Sequence, residues 1–350
     1  MRNFKQKTLL AAVSALAGLG FCSQASAYTY FGSDLSISGL NIRFFEAGTN
    51  NQVFPGVSSF DFNLEASANL NSDPASPDLN LASCLGGGVG TSGAFTTCNS
   101  ASPRLSVTQA EVGIAPVGDD GSFTRTTPDS GNNYARADTE ITTAQPVAAA
   151  LGQTPEASSA RQVAEGEVYD TDAGGALASI GSTSGFSVTF QNDLGFPLDL
   201  LVEFDAIADL LVESENPDAS FVISRASVAV SFGLDDDQSD ASADFAPDGI
   251  TDNCTGTGGL TCSDTTDDGT LNETISTTTA VSSTPLVTGG AYSALFGNLT
   301  DSTYSLSLTF TNDGNVVKIV PVPEPGILTL LGLGLAGLGV TRRRRQAKSA

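Results

Sequence analysis

The stretch "FDFNLEASANL" alternates without a break, with Phe60, Phe62, Leu64, Ala66, Ala68 and Leu70 on one side and Asp61, Asn63, Glu65, Ser67 and Asn69 on the other. A two-residue period places every apolar side chain on one face of an extended strand and leaves the other face to water. A helix, with its longer period, would scatter the same residues around its axis. The pattern returns in "GFSVTFQND" (Phe186, Val188, Phe190), "SRASVAVSFG" (Val228, Val230, Phe232) and "SLSLTFTND" (Leu306, Leu308, Phe310). In "LSISGLNIRFF" the phase changes at Gly39: Leu35 and Ile37 give way to Leu40, Ile42 and Phe44. A glycine at a phase change predicts a bulge or bend. "SVTFQND" and "SLTFTND" each predict a strand that runs into an Asn-Asp turn.

Clusters of Gly, Ser, Thr, Asn, Asp and Pro separate these segments, so the chain is expected to be mainly β: an antiparallel β-sandwich or jelly-roll-like body, followed by a C-terminal hydrophobic helix. No Pro- or Ser-rich linker divides residues 28–320, which favours one exported body over two. "PVAAALGQTPEASSARQVAEG" is the best soluble helix candidate, although Gly152 and Pro155 interrupt it. "PLDLLVEFDAIADLLVES" fits a strand through Leu198, Leu200, Val202 and Phe204, and a helical stripe through Leu201, Phe204, Ala208 and Leu211. It is read as a strand with a helical turn after it.

Residues 1–27 have the form of a cleavable export signal. Arg2, Lys5 and Lys7 precede an apolar run from Leu9 to Cys22, and Ala25-Ser26-Ala27 gives the small-x-small site of a signal peptidase. Phe21 is too bulky for the residue before a lipidated cysteine, so Cys22 is not read as a lipid anchor. Between Tyr28 and Pro325 only seven of the 15 cations remain against all 39 acids, a formal charge of −32. So acidic a surface repels nucleic acid and favours solubility.

Four cysteines remain after export, an even number that points to disulfides. Spacing favours two local bridges, Cys84–Cys98 and Cys254–Cys262, with crossed pairings left open. Closing a loop of about 15 residues contributes roughly 3 kcal/mol in the chain-entropy account. A zinc site would need tighter pairs and usually histidine, and the chain has no histidine.

The acidic stretch "LDDDQSDASADFAPDGITDNCTGTGGLTCSDTTDDGT" has the oxygen chemistry that Ca2+ takes, making calcium the one candidate cofactor. Its spacing departs from a calcium loop: Asp235-x-Asp237-x-Ser239 lacks the glycine and closing glutamate at their places. The segment is therefore read as a solvated, partly disordered loop limited by Cys254–Cys262. Without histidine there is no Ser-His-Asp, Cys-His or H-E-x-x-H arrangement. A carboxylate pair could still cleave a glycosidic bond. Yet no motif singles out such a pair, and tryptophan platforms are absent. The expected body is not an enzyme, and no catalytic residue is assigned.

The chain closes on "VPEPGILTLLGLGLAGLGVTRRRRQAKSA". Gly326 to Val340 is uncharged and would span about 22 Å as a helix, short of a hydrocarbon core of about 30 Å. Arg342, Arg343, Arg344 and Arg345 would hold this weak span, residues 326–341, on the cytoplasmic side. Val322, Pro323, Glu324 and Pro325, the Gly- and Leu-rich span and the arginine cluster together resemble a PEP-CTERM sorting signal across residues 321–350. The segment also resembles the C-terminal domain of ice-binding proteins. The resemblance implies a Gram-negative producer of exopolysaccharide, transient residence in the inner membrane, and processing by an exosortase near Pro323-Glu324-Pro325. Residues 28–320 would then reach the outer surface or the extracellular matrix as a structural protein. A calcium-, polysaccharide- or ice-binding module is the alternative, and a carboxylate-dependent glycosidase or lyase stands behind it.

Overall fold

The structure, a computed structural model, describes residues 28–70, 73–74, 78–85, 104–113, 125–129, 131–142, 158–169, 175–215, 221–250, 254–267 and 269–319. These residues form strands, turns and loops, without helix. The first strands are β1 (Tyr28–Glu46), β2 (Gln52–Val53), β3 (Gly56–Leu70), β4 (Asp73–Pro74), β5 (Asp78–Leu85) and β6 (Arg104–Gly113). Next come β7 (Tyr134–Thr142), β8 (Ser158–Tyr169), β9 (Gly175–Gln191), β10 (Leu198–Glu215), β11 (Phe221–Asp236) and β12 (Ser242–Phe245). The last are β13 (Thr255–Gly256), β14 (Thr261–Asp267), β15 (Glu273–Thr277), β16 (Val281–Leu299) and β17 (Thr303–Ile319).

Two antiparallel sheets pack face to face. Sheet A has the order β14-β16-β10-β1-β8-β7-β6, with β2 beside β1. Sheet B has the order β13-β12-β11-β17-β9-β3-β4, with β15 beside β11 and β5 beside β3. The alternating segments point their apolar sides between the sheets. β10 buries Leu198, Leu200, Val202, Phe204, Ala206, Ala208, Leu210 and Val212 in unbroken succession, so it stays extended to Glu215 with no helical turn.

The bulge forms at the phase change. β1 shifts register against both neighbours on either side of Gly39, whose φ is +68°. The one extra residue keeps Leu35 and Ile37, then Leu40, Ile42 and Phe44, on the buried side.

The interior is thick at one end and thin at the other. At the thick end aromatic rings meet across the gap: Phe44 and Phe190 at 4.7 Å between centroids, Phe204 and Phe232 at 5.0 Å. Each buried phenylalanine contributes roughly 1.5–3 kcal/mol through the water-exposed surface it removes. At the thin end Phe31 fills the gap almost alone. A Cβ on Gly166 would lie 2.7 Å from the Phe31 ring, and one on Gly314 of the facing sheet 2.2 Å from it. Beside it, the Asn312 amide donates to the Ser33 carbonyl at 3.0 Å, and the Gln162 amide donates to the Phe310 carbonyl at 3.0 Å.

Three expectations are corrected. The C-terminal part of the helix candidate, from Ser158 onward, belongs to β8. Its inward positions are Ala160, Gln162, Ala164, Gly166 and Val168; the two alanines, the glycine and the polar Gln162 hide the alternation. Asn312-Asp313 is not a turn but the middle of β17, where Asn312 is wholly buried. Asn192, by contrast, does leave its strand, accepting from the Leu194 N–H at 3.2 Å. Finally, the acidic segment is largely built structure: β12, β13 and β14 lie in it, and Ala241, Ala243, Phe245 and Leu260 enter the core.

Candidate functional site

The outer face of sheet A gathers buried ionisable side chains, among them Arg136, Asp138, Glu140, Glu165 and Glu167. Register sets Glu165 of β8 opposite both Gly32 of β1 and Arg136 of β7, and sets Asp34 opposite Asp209 of β10. Segment 125–129 lies over this face as a strap, and carboxylates hold it. Glu165 accepts from the Thr126 backbone N–H at 2.8 Å, the Thr126 hydroxyl at 3.0 Å and the Tyr30 hydroxyl at 3.1 Å. Its other oxygen lies 3.0 Å from the Arg136 guanidinium. Glu167 accepts from the Asp129 N–H at 2.7 Å, while the Tyr169 hydroxyl donates to the Asp129 carboxylate. The Arg125 guanidinium donates to Asp209 at 2.8 Å, and its backbone N–H donates to Asp34.

Glu165 and Arg136 are at most 1% exposed, so this is a buried ion pair: one Glu165 oxygen takes the hydroxyls and backbone N–H, and Arg136 Nε lies 3.5 Å from the buried Asp138 carboxylate. Such a pair adds little net stability, but removing one partner strands a charge at a cost of about 3–5 kcal/mol. Gly32 makes the layout possible: a Cβ there would sit 2.1 Å from the Tyr30 hydroxyl and 2.7 Å from Arg125 Cδ.

The electrostatics follow from burial. Burial, with the Glu165 charge beside them, pushes the Tyr30 and Tyr134 hydroxyls well above the usual phenol range. Burial and the neighbouring Asp209 raise Asp34 to about 6, against the opposing pull of Arg125. A pair of adjacent carboxyls is the raw material of acid–base hydrolysis. Here, however, both accept from Arg125, and the strap lies across them. Their geometry serves attachment.

The acidic segment spends its oxygens in a similar way. Asp236 accepts from the Gln238 N–H at 2.9 Å, from the Ser239 hydroxyl at 2.6 Å and from the Ser302 hydroxyl. These three bonds outweigh burial and hold its pKa below the usual carboxylate range. Asp237 accepts from Ser305 at 2.9 Å, and Asp267 accepts from the Gly249 N–H at 3.1 Å. Burial and the charges of Asp248 and Asp264 push Asp267 the other way, upward. Among the described residues, no three of His, Cys, Asp and Glu converge as a metal-binding group.

Cys254 and Cys262 are joined by a disulfide, with Cα atoms 5.3 Å apart. Cys98 lies outside the described residues, as does the side chain of Cys84. Also outside are the signal site Ala25 and Ala27, the sorting residues Val322, Pro323, Glu324 and Pro325, the span 326–341, and Arg342, Arg343, Arg344 and Arg345. Among the described residues, no helix is long and apolar enough to cross a membrane.

Sequence reasoning missed the strap and its anchors. The usable signal was "EGEVY", where Glu165, Glu167 and Tyr169 occupy alternate positions of what proves to be a strand.

Comparison with known proteins says little about the body. No curated protein matches the chain. A solved structure of T=1 particles derived from infectious bursal virus aligns with 90% of this chain and 86% of that one, at 9% identity and a TM-score of 0.09, which carries no argument. The tail is another matter: residues 321–345 match the family described as the PEP-CTERM protein-sorting motif, so this chain carries a sorting signal that implies export and processing by an exosortase.

Proposed function

We propose that this is an exported protein, delivered by an exosortase to the cell surface or extracellular matrix, where its β-sandwich acts as a non-enzymatic structural element. The observation that carries the proposal is the sorting motif at residues 321–345, placed just after the last strand, which ends at Ile319. The design of the body supports it. The paired carboxylates hold a strap or close turns, and the net negative charge favours solubility outside the cell. The bond between Cys254 and Cys262 suits an oxidising compartment.

Fractionation of the producing cells tests delivery: the protein is expected at the outer surface or in the matrix, and a purely cytoplasmic pool would reject it. Incubation with the producer's own polysaccharide, followed by reducing-end analysis, tests the non-enzymatic reading. New reducing ends that disappear in Asp34→Asn or Asp209→Asn would replace it with a carboxylate-dependent hydrolase. Calorimetry with Ca2+ addresses the remaining cofactor, and a stoichiometric heat would add a metal to the account.

A further inference from the structure

On the outer face of sheet B, a cavity of about 340 Å³ opens among Ser179, Arg225, Ser227, Asp313 and Asn315, with Ile180 and Gly314 between them. Three neighbouring strands build it. Register sets Asn315 of β17 opposite Ser179 of β9 and Arg225 of β11, and sets Asp313 opposite Ser227. Asp313 is pinned, since the Ser227 hydroxyl donates to its Oδ2 at 2.7 Å. Arg225 is not: among the described residues its guanidinium has neither ion-pair nor hydrogen-bond partner, and the side chains of Ser179 and Asn315 are likewise unengaged. A chain with few cations therefore leaves one at the mouth of a polar cavity, beside a fixed carboxylate.

Phe221 shares the outward side of β11 and is 45% exposed. Four residues of strand put it about 13 Å from Arg225 along the sheet, at about 3.3 Å per residue. Ile223 and Val317, opposite each other and half-buried, lie between the ring and the cavity.

We propose that this face binds a neutral glycan laid along β11, one sugar ring in the cavity and another against Phe221. Each sugar hydroxyl both donates and accepts. The cavity offers a donor in Arg225, acceptors in Asp313 and the Ser227 oxygen, and groups of both kinds in Ser179 and Asn315. An exposed aromatic face matches the apolar face of a pyranose ring. Charge decides between sugar classes: Asp313 offsets Arg225 locally, and a strongly acidic body repels a polyanion. The proposal rests on the surface or matrix reading, where such polymers would be met.

Calorimetry on the full-length protein tests it, with neutral hexasaccharides of glucose, mannose and galactose and with an oligogalacturonate. At least one neutral oligosaccharide should bind. Arg225→Ala and Phe221→Ala should each weaken it tenfold or more without shifting thermal unfolding, while Thr309→Ala, elsewhere on the same face, should leave affinity unchanged. No heat with any neutral sugar, tighter binding of the uronate, or binding indifferent to Arg225 and Phe221 would each overturn the proposal. Delivery to the surface is read separately, by fractionation, so failure here leaves that conclusion standing.

Discussion

The two sheets bury similar apolar inner faces and differ on their outer ones. Sheet A turns Tyr30, Asp34, Tyr134, Arg136, Glu165, Glu167 and Asp209 outward and then covers them with segment 125–129. Sheet B turns outward Thr183, Gly185, Ser187 and Thr189 from β9, and Ser305, Ser307, Thr309 and Thr311 from β17. These short side chains are half-buried or exposed, and on the same face Arg225 has no ion-pair or hydrogen-bond partner among the described residues. A side chain held by several partners under cover is structural, and changing it should cost stability. An unengaged one on open surface should cost almost none, and whatever it does must be sought in binding.

The sharpest way to break the contrast is Glu165→Ala. It should destabilise the fold by about 3–5 kcal/mol, read from denaturant unfolding, because Arg136 is left buried without its main partner. Glu165→Gln, which keeps the shape and an acceptor, should recover part of the loss. Next comes Gly32→Ala: with a Cβ 2.1 Å from the Tyr30 hydroxyl, the strap must shift, at about 1–3 kcal/mol. Limited proteolysis should then cut within 125–129 sooner than in the parent.

A smaller effect belongs to Asp34. Its pKa in the folded state is raised to about 6, against about 4 in the unfolded chain. The folded protein thus holds the proton more tightly in that window, and stability falls as pH rises from about 4 to about 6. Asp34→Asn should remove this share of the slope, so that the difference in Tm between variant and parent grows in the variant's favour up to pH 6 and then levels off. Equal pH profiles would show that burial beside Asp209 does not shift Asp34. The smallest effect is expected on the bare face, where Arg225→Ala should stay within about 0.5 kcal/mol of the parent in denaturant unfolding. A loss as large as that of Glu165→Ala would erase the distinction between the faces.

The alternation was legible wherever the inward residues are large. β9, β10, β11 and β17 announce themselves through Phe, Leu and Val, and Gly39 marks its own bulge by the change of phase. β8 was not, because Ala160, Ala164 and Gly166 face the thin end, and alanine at alternate positions carries no amphipathic signal. Asn312 misled for a related reason: an Asn-Asp pair favours a turn locally, but the amide bonds across to Ser33 of β1, a partner 279 residues away. The acidic segment was misjudged by composition, which counts its aspartates and overlooks that Ala243, Phe245 and Leu260 suffice to seat it.

The candidate sites split the same way. The sorting signal is contiguous, so its parts can be read in order. The strap anchors come from β1, β7, β8 and β10 and meet only through pairing across long separations. The cavity on sheet B is similar, joining Ser179, Arg225 and Asn315 by register alone. Local sequence pattern does not specify such register, since a slip of one residue would send each of these side chains to the opposite face.

The central claim, that the body is a delivered product and the tail an address, is tested most directly by the intact mass of the protein isolated from its producer. Four arginines resist translocation, each costing roughly 2.5–3.5 kcal/mol at the centre of a span. They should stall export with Pro323-Glu324-Pro325 at the membrane's outer face, within reach of the cleaving enzyme. The predicted mass is that of a chain beginning at Tyr28 and ending near Pro323-Glu324-Pro325, with whatever anchor the transfer adds. A chain that begins at Tyr28 and still ends at Ala350 would contradict the account and make the tail a permanent anchor.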